Sequence, residues 1–175
     1  MRGWKRLPSD ASRRHEGRQA VRLIHRPLGM WPRPSSPSRD SLFTASWSDT
    51  LEILEREVTA VRRRDQVAEP VILQLDIPES AIRLDGGVRA NARAGSHRVA
   101  ISFESKHGPL RYLCDTYDTP AWKVRGTQQA WQANVRAIAL GLEALRTVDR
   151  YGISHDGEQY RGFTRCRRHV KPGRR

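Results

Sequence analysis

The longest pattern of apolar and polar residues in the chain covers residues 127–152 and predicts a long amphipathic helix. Its apolar residues recur at alternating steps of three and four: Trp131, Val135, Ile138, Leu142 and Leu145. A second row lies beside the first and widens the stripe: Ala133, Ala137, Leu140, Ala144 and Val148. Thr127 is predicted as the N-cap, and Gly152 as the left-handed residue that ends the helix. About 24 residues give a length of roughly 36 Å, so we expect this helix to form the backbone of the core.

A second amphipathic helix is predicted to begin after Ser46. Its apolar residues again recur at steps of three and four: Trp47, Leu51, Leu54, Val58 and Val61. Ser46 and Asp49 have the spacing of a capping box, in which each side chain accepts a hydrogen bond from the backbone amide of the other residue. We therefore expect a helix that lies on the core with its polar side in water.

Alternating apolar and polar residues predict strands in four further segments: 71–77, 82–85, 99–105 and 110–114. A shorter strand is predicted over residues 21–26, where Pro27 stops it. Short connections favour antiparallel neighbours. The prediction is an α+β fold, in which an antiparallel sheet of about four strands carries both helices on one face as a two-layer sandwich.

Proline and charge divide the chain into four parts. Residues 1–20 form a basic tail, residues 21–45 hold a short strand and a proline-rich tether, residues 46–160 form a single α+β domain, and residues 161–175 form a second basic tail. Four prolines exclude regular structure from the tether: Pro27, Pro32, Pro34 and Pro37.

The net charge of +13 comes from the two ends of the chain. Residues 1–26 hold eight arginine or lysine residues against two acidic ones, and residues 161–175 hold seven and no acid. Residues 27–160 hold 17 of each sign and are formally neutral. Basic tails with few apolar residues are expected to be disordered. One interpretation is that the tails make nonspecific, salt-sensitive contacts with nucleic acid. The alternative is that they are solvated ends without a dedicated partner.

Composition excludes several other classes of protein. No run of 18 apolar residues is present, so no membrane contact is expected, and the first twenty residues lack the apolar segment of a secretory signal. Two cysteines, Cys114 and Cys166, do not make a disulfide framework, which favours reduced thiols and a cytoplasmic location. The histidines and cysteines lack the paired spacing of a zinc site, so no metal ligand is predicted among them.

One acidic arrangement offers a catalytic alternative to a binding function. Glu104 and Lys106 have the E-x-K spacing that places a carboxylate and an ammonium on one face of a strand. In metal-dependent nucleases of the PD-(D/E)xK type, such a pair and an acid on a neighbouring strand hold Mg²⁺ and activate water. Asp76 or Glu79 is the acid expected to join them, because Asp85 would lie about 16 Å from Glu104. The competing interpretation is an exposed sheet face whose charges pair across the strands.

Several stretches resemble a known family. They read TASWSDTLEILERE, IRLDG, ANAR, ISFESKHGPLRYLCDTYD and WQANVRAIALGLEALRTVDRYGISHDGEQYRGF, the last being the most specific. Together they are similar to the amino-terminal region of J-domain (DnaJ-like) proteins from actinobacteria and their phages, from about Val21 to Phe163. The resemblance implies a small α+β domain that is followed in the family by a linker and a J domain.

A J domain contacts an Hsp70 through a His-Pro-Asp loop, and this sequence contains no His-Pro-Asp. Ser154-His155-Asp156 lacks the proline, so the resemblance carries over no Hsp70-stimulating residue. The sequence therefore predicts a non-enzymatic binding or adaptor domain with an unknown protein partner and no cofactor. The alternatives are the Mg²⁺-dependent nuclease and a nonspecific nucleic-acid binder that uses the basic tails.

Overall fold

The computed structural model describes residues 21–62, 69–118 and 129–164. Within these ranges the elements follow in the order β1 (Leu23–Pro27), α1 (Trp47–Val61), β2 (Val71–Leu75), β3 (Val99–Ser105), β4 (Gly108–Cys114) and α2 (Ala130–Arg150). Two short 3₁₀ helices follow β2 and α2, at Glu79–Ala81 and Glu158–Phe163. The predicted α+β class is confirmed. Residues 1–20 and 165–175, which hold most of the predicted basic tails, lie outside the described residues.

The four strands form one sheet in the order β1-β2-β3-β4. The pair β3–β4 is antiparallel as predicted. β2 also pairs antiparallel with β3, a pairing that the prediction gave to residues 82–85, and β1 and β2 run parallel. The prediction of a wholly antiparallel sheet is therefore wrong at β1. The physical reason is the crossover: the chain passes from β1 through α1 before it enters β2, and such a connection returns the chain in the same direction.

Residues 82–85 do not form the predicted strand. Ile82 makes one isolated bridge to Val88, and the side chain of Leu84 is fully exposed. Gly86 then turns the chain with a φ of +83°, and its carbonyl accepts a hydrogen bond from the backbone N–H of His25 at 2.9 Å. This turn covers the outer edge of β1. Consequently β2 pairs directly with β3, and β1 supplies the fourth strand.

The hydrophobic core lies between the sheet and the two helices. Its buried members include Leu73, Ile101 and Tyr112 from the sheet, Leu54 and Val58 from α1, and Val135 and Leu142 from α2. The rings of Trp47 and Trp131 meet edge to face where the helices begin, with centroids 5.1 Å apart. Both helices thus join the sheet in a single cluster.

The capping box of α1 is confirmed. The Ser46 hydroxyl oxygen accepts from the backbone N–H of Asp49 at 3.1 Å, and a carboxylate oxygen of Asp49 accepts from the backbone N–H of Ser46 at 3.0 Å. These two bonds satisfy backbone donors that the first turn of a helix leaves free, which fixes where α1 begins.

The predicted end of α2 is also confirmed. Gly152 has a φ of +70°, and the backbone N–H of Ile153 donates to the carbonyl of Val148 at 3.2 Å. This is the left-handed stop expected of a glycine directly after a helix. The predicted N-cap, Thr127, lies outside the described residues. No helix in the described ranges is long and apolar enough to cross a lipid bilayer.

The second 3₁₀ helix folds back onto the β3–β4 hairpin. The buried ring of Tyr160 stacks on His107 with centroids 5.0 Å apart, and Phe163 stacks on Tyr112 at 4.5 Å. Gly157 precedes this helix with a φ of +73°, and a Cβ atom at that position would overlap the His107 ring. The close contact leaves room only for glycine.

The Gly157→Ala variant is expected to lose about 2–3 kcal/mol of unfolding free energy, because left-handed backbone strain and the overlap with His107 add. Gly152→Ala is the matched control: it has a φ of +70° but no neighbouring atom within 4 Å of the new Cβ. It should lose only about 1 kcal/mol. Urea unfolding measures both values. Equal losses in the two variants would show that the contact with His107 contributes nothing.

Candidate functional site

The acidic residues of the nuclease alternative are not brought together. The β2–β3 register pairs Leu75 with Val99 and Ile72 with Ser102. Asp76 therefore follows β2 at the end where β3 begins, whereas Glu104 lies near the other end of β3. The offset is six residues along the ladder, or about 20 Å. The nuclease alternative requires Asp76 to lie close to Glu104, and the register does not bring them together, because β2, rather than residues 82–85, pairs with β3.

The other two residues of that alternative lie outside the strands. Glu79 begins the first 3₁₀ helix, which the chain reaches only after it has passed Asp76. Lys106 is in the β3–β4 turn, where its backbone N–H donates to the carbonyl of Val61 at 3.0 Å. Across residues 21–62, 69–118 and 129–164, no group of three or more histidine, cysteine or acidic side chains has the arrangement of a metal site.

A buried amide joins the start of α2 to the end of β4. The Asn134 side chain has no exposed area, and its Oδ1 accepts from the Tyr117 backbone N–H and from the Cys114 thiol, both at 3.0 Å. Its Nδ2 donates to the carbonyls of His97 and Tyr117, both at 2.8 Å. Burial raises the pKa of the Cys114 thiol, so it is a protonated donor rather than a nucleophilic thiolate. The cluster is structural.

A buried carboxylate holds the proline-rich tether. Asp115 accepts hydrogen bonds from the backbone N–H of Ser36 at 3.0 Å, from the Ser36 hydroxyl at 2.8 Å and from Arg33 at 3.1 Å. Burial alone would raise the pKa of Asp115, but the bonds from Ser36 and Arg33 outweigh it and keep the pKa below its ordinary value. The tether is therefore anchored to the end of β4.

An apolar cavity of about 380 Å³ opens between β4 and α2. We call it the α2–β4 groove. Its walls are Tyr112, Leu113 and Cys114 from β4, Phe163 from the second 3₁₀ helix, and Ala137, Ile138, Gly141, Ala144, Leu145 and Val148 from α2. Gly141 and Ala144 are exposed and small, so the surface of α2 is recessed along this side.

A second, polar cavity of about 470 Å³ lies on the other side of Ala144. It is lined by Leu140, Glu143, Ala144, Arg146, Thr147 and Arg150. Two of these charges are paired, because Glu143 binds Arg56 and Arg146 binds Glu57. Arg150 stacks on the Tyr151 ring and forms no ion pair with a carboxylate of the described residues. Ala144 lines both cavities.

The periodicity of α2 predicts that one further row of its residues is buried. Ala137, Leu140, Ala144 and Val148 were predicted to widen the buried stripe of α2, yet Ala144 is exposed and the other three are only partly buried. The available signal was the number of small residues on this side of α2: Ala137, Gly141 and Ala144. Small residues at helical spacing leave a recess unless a neighbouring element fills it.

Comparison with protein-family models, with curated proteins and with solved structures found no match. The function is therefore inferred from the groove and from the sequence itself.

Proposed function

We propose that this chain is a non-enzymatic binding domain that holds a protein partner in the α2–β4 groove. The observation that supports this function is the groove itself, an apolar concavity bordered by the aromatic rings of Tyr112 and Phe163. Concave apolar surfaces with few polar groups are typical of binding sites. Burial of aromatic side chains supplies much of the binding energy at such surfaces.

The ionisable groups favour binding over catalysis. Glu57 and Asp115 are the two carboxylates with almost no exposed area in the described residues, and each is already satisfied by arginine donors. The thiol of Cys114 borders the groove, but burial raises its pKa and Asn134 accepts its hydrogen bond. A catalytic nucleophile or general base needs the opposite, a lowered thiol pKa or a base with a free lone pair.

The resemblance to the amino-terminal region of J-domain proteins is consistent with an adaptor role. On this proposal the domain is similar to the amino-terminal part of a J-domain protein, which would hold a client or partner. It lacks the J domain, which contacts an Hsp70. Because the sequence has no His-Pro-Asp, we propose that it does not stimulate an Hsp70. Neither Mg²⁺ nor another cofactor is required for binding in the groove.

The test is selection of binding peptides from a displayed random library on the full chain. Ala144→Gln places a long neutral side chain in the groove, and Ala60→Gln makes the same change at an exposed position of α1. Selected peptides should bind the wild type and Ala60→Gln equally and bind Ala144→Gln about tenfold more weakly, a loss of about 1.4 kcal/mol. Equal binding to all three proteins would overturn the proposal. Mg²⁺-dependent DNA cleavage that is lost in Glu104→Ala would overturn it too.

The uneven distribution of charge favours a second function, nonspecific binding of nucleic acid. Residues 161–175 hold seven basic residues and no acid, while residues 27–160 are formally neutral. Each phosphate contact that a cation makes releases counterions and steepens the dependence of affinity on salt. A full-length variant with glutamine at all five arginines of residues 165–175 should therefore show a shallower salt slope for DNA than the wild type. An unchanged slope would exclude these residues from binding.

A further inference from the structure

We propose that the outer face of the sheet binds a single strand of nucleic acid through its phosphates. This face is the side of β1–β4 that points away from α1 and α2. The inference rests on the second proposed function, nonspecific binding of nucleic acid, and adds a site within the described fold to the basic residues 165–175. Three features carry it: the side chains that alternate onto this face, the arginines along it, and the path that those arginines mark.

Alternation along the strands determines which residues lie on the outer face. Val71, Leu73 and Leu75 of β2 belong to the core, so the residues between them point the other way. The register carries this alternation to the neighbouring strands. The outward residues that matter here are Arg26 of β1, Gln74 of β2, Ala100, Ser102 and Glu104 of β3, and Arg111 of β4. Arg22 and Arg98 continue the outward rows of β1 and β3 by one step of two residues.

The middle of this face is low and polar. Ala100 and Ser102 have small side chains, and the guanidinium of Arg111 donates to the side-chain oxygen of Gln74 at 3.2 Å. Because Arg111 is on β4 and Gln74 is on β2, this bond spans β3 and lies over both small residues. The helices α1 and α2 pack in the core on the opposite side of the sheet. Interfaces with nucleic acid are more polar and more positively charged than those between proteins, and this surface has that character.

Arginines without an acidic partner lie along the outer face. Arg22 and Arg26 are exposed on β1 and just before it, and Arg98 is half-buried at the start of β3. Among the described residues, none of these three forms an ion pair with a carboxylate. With the arginine that spans β3, the face holds four arginines against two acids, Asp76 and Glu104, which is a net charge of +2. The surface therefore attracts an anion.

The proline-rich tether holds one of these cations in place. The guanidinium carbons of Arg98 and Arg33 lie 5.5 and 5.6 Å from the centre of the Trp31 ring, within the range of a cation–π contact. Arg98 also donates to the hydroxyl of Ser35 at 2.5 Å. Arg33 is neutralised by Asp115, whereas Arg98 has only these uncharged partners. Its charge is thus positioned before a ligand arrives, which reduces the entropy lost on binding.

The three arginines mark a bent path. Arg22 and Arg26 are four residues apart on β1, or about 13 Å. Arg98 lies two strands away from Arg26 and one outward residue farther along, or about 12 Å. A flexible single strand can follow this bend, whereas a duplex is stiff over about 150 base pairs and stays straight over this distance. The planar fork of a guanidinium matches the oxygens of a phosphate, so each arginine can hold one phosphate of the strand.

The probe is a labelled oligothymidylate, titrated by fluorescence anisotropy into the full-length variant that has glutamine at the five arginines of residues 165–175. In this background, Arg22→Gln/Arg26→Gln should make the slope of log affinity against log salt shallower by about 1.4, because each phosphate contact on a single strand contributes about 0.7. The affinity at about 0.1 M salt should fall roughly tenfold. The matched control Arg150→Gln/Arg161→Gln removes two exposed arginines from α2 and the second 3₁₀ helix, and should change neither quantity.

Two further probes test the identity of the ligand. A duplex of the same length and a poly-glutamate peptide are titrated into the same four proteins: the wild type, the background variant and the two double variants. Arg22→Gln/Arg26→Gln should weaken each of these probes no more than the control does. An equal loss for the duplex and the oligothymidylate would overturn the assignment to a single strand. An equal loss for poly-glutamate would show that the face binds negative charge in general and would overturn the assignment to nucleic acid.

The inference and the function on which it rests fail by different results. The contribution of residues 165–175 falls if the background variant binds the oligothymidylate with the salt slope of the wild type. The outer face falls if Arg22→Gln/Arg26→Gln has the same slope as its background, or if the control variant lowers the slope by the same amount. In that last case the loss reports only the net charge of the chain.

Discussion

Replacement of Glu57 by alanine is expected to lower the free energy of unfolding by about 2–4 kcal/mol. The Glu57 side chain has no exposed area and receives hydrogen bonds from Arg56 at 2.8 Å and from two nitrogens of Arg146. Removal of one partner from a buried ion pair leaves the other charge in a poorly solvated place. The loss stays below the largest known values because both arginines retain some exposure to water.

Glu143 provides the matched control. It binds the same Arg56, but its side chain is 40% exposed, whereas that of Glu57 is 0% exposed. Glu143→Ala should therefore cost less than about 1 kcal/mol, as for other surface ion pairs. Urea unfolding of the two variants and the wild type measures the difference. Similar losses in both variants would mean that burial does not set the strength of this network.

The same carboxylate predicts a loss of stability in acid. Burial alone would raise the pKa of Glu57, but the hydrogen bonds from Arg146 and Arg56 outweigh it and lower the pKa below its ordinary value. A group whose pKa is lower in the folded protein stabilises the fold fully above its unfolded pKa, about 4.3 for glutamate, and progressively less as the pH falls below it. The Glu57→Gln variant should therefore lose less stability than the wild type between about pH 5 and pH 2. A steeper loss in the variant would contradict the sign of this shift.

Local patterns in the sequence were sufficient to predict the two helices. The capping box of Ser46 and Asp49 and the left-handed stop at Gly152 depend on residues three to five positions apart, so the sequence specifies them directly. The direction of β1 depends on a partner about fifty residues away. The alternation of Ile82 and Leu84 is compatible with a strand, yet Gly86 and its bond to His25 turn that segment around the edge of β1. Strand pairing is non-local, and alternation alone does not report it.

The candidate site shows the same limit. The E-x-K spacing of Glu104 and Lys106 is a local feature, but the position of an acid that would complete a metal site depends on which strand pairs with β3. That strand is β2 and not residues 82–85. The groove forms only if no other element packs fully against Ala137 and Ala144. The spacing of residues along the sequence does not determine whether such an element is present. Sequence periodicity predicts which face of a helix is apolar, whereas only the packed fold shows how much of that face is covered.

Asn134→Ala is expected to destabilise the fold by about 2–4 kcal/mol, because it removes four hydrogen bonds from a fully buried side chain. Tyr117 loses the partners of both its N–H and its carbonyl, and His97 loses the partner of its carbonyl. A buried backbone donor or acceptor that is left without a partner costs more free energy than its hydrogen bond contributes when it is made. Urea unfolding measures the global loss, and amide hydrogen exchange at Tyr117 should accelerate more than exchange in α1.

Two further substitutions separate hydrogen bonding from lost volume at this position. Cys114→Ser keeps a donor to the Asn134 Oδ1 and should cost less than about 1 kcal/mol. Asn134→Asp keeps the acceptor but replaces the Nδ2 donor with a carboxylate oxygen that faces the carbonyls of His97 and Tyr117. It should be at least as destabilising as alanine near neutral pH and should recover part of the loss in acid, where the protonated carboxyl donates again. A loss in Asn134→Asp that does not change with pH would show that the contacts to the two carbonyls do not hold the start of α2 to the end of β4.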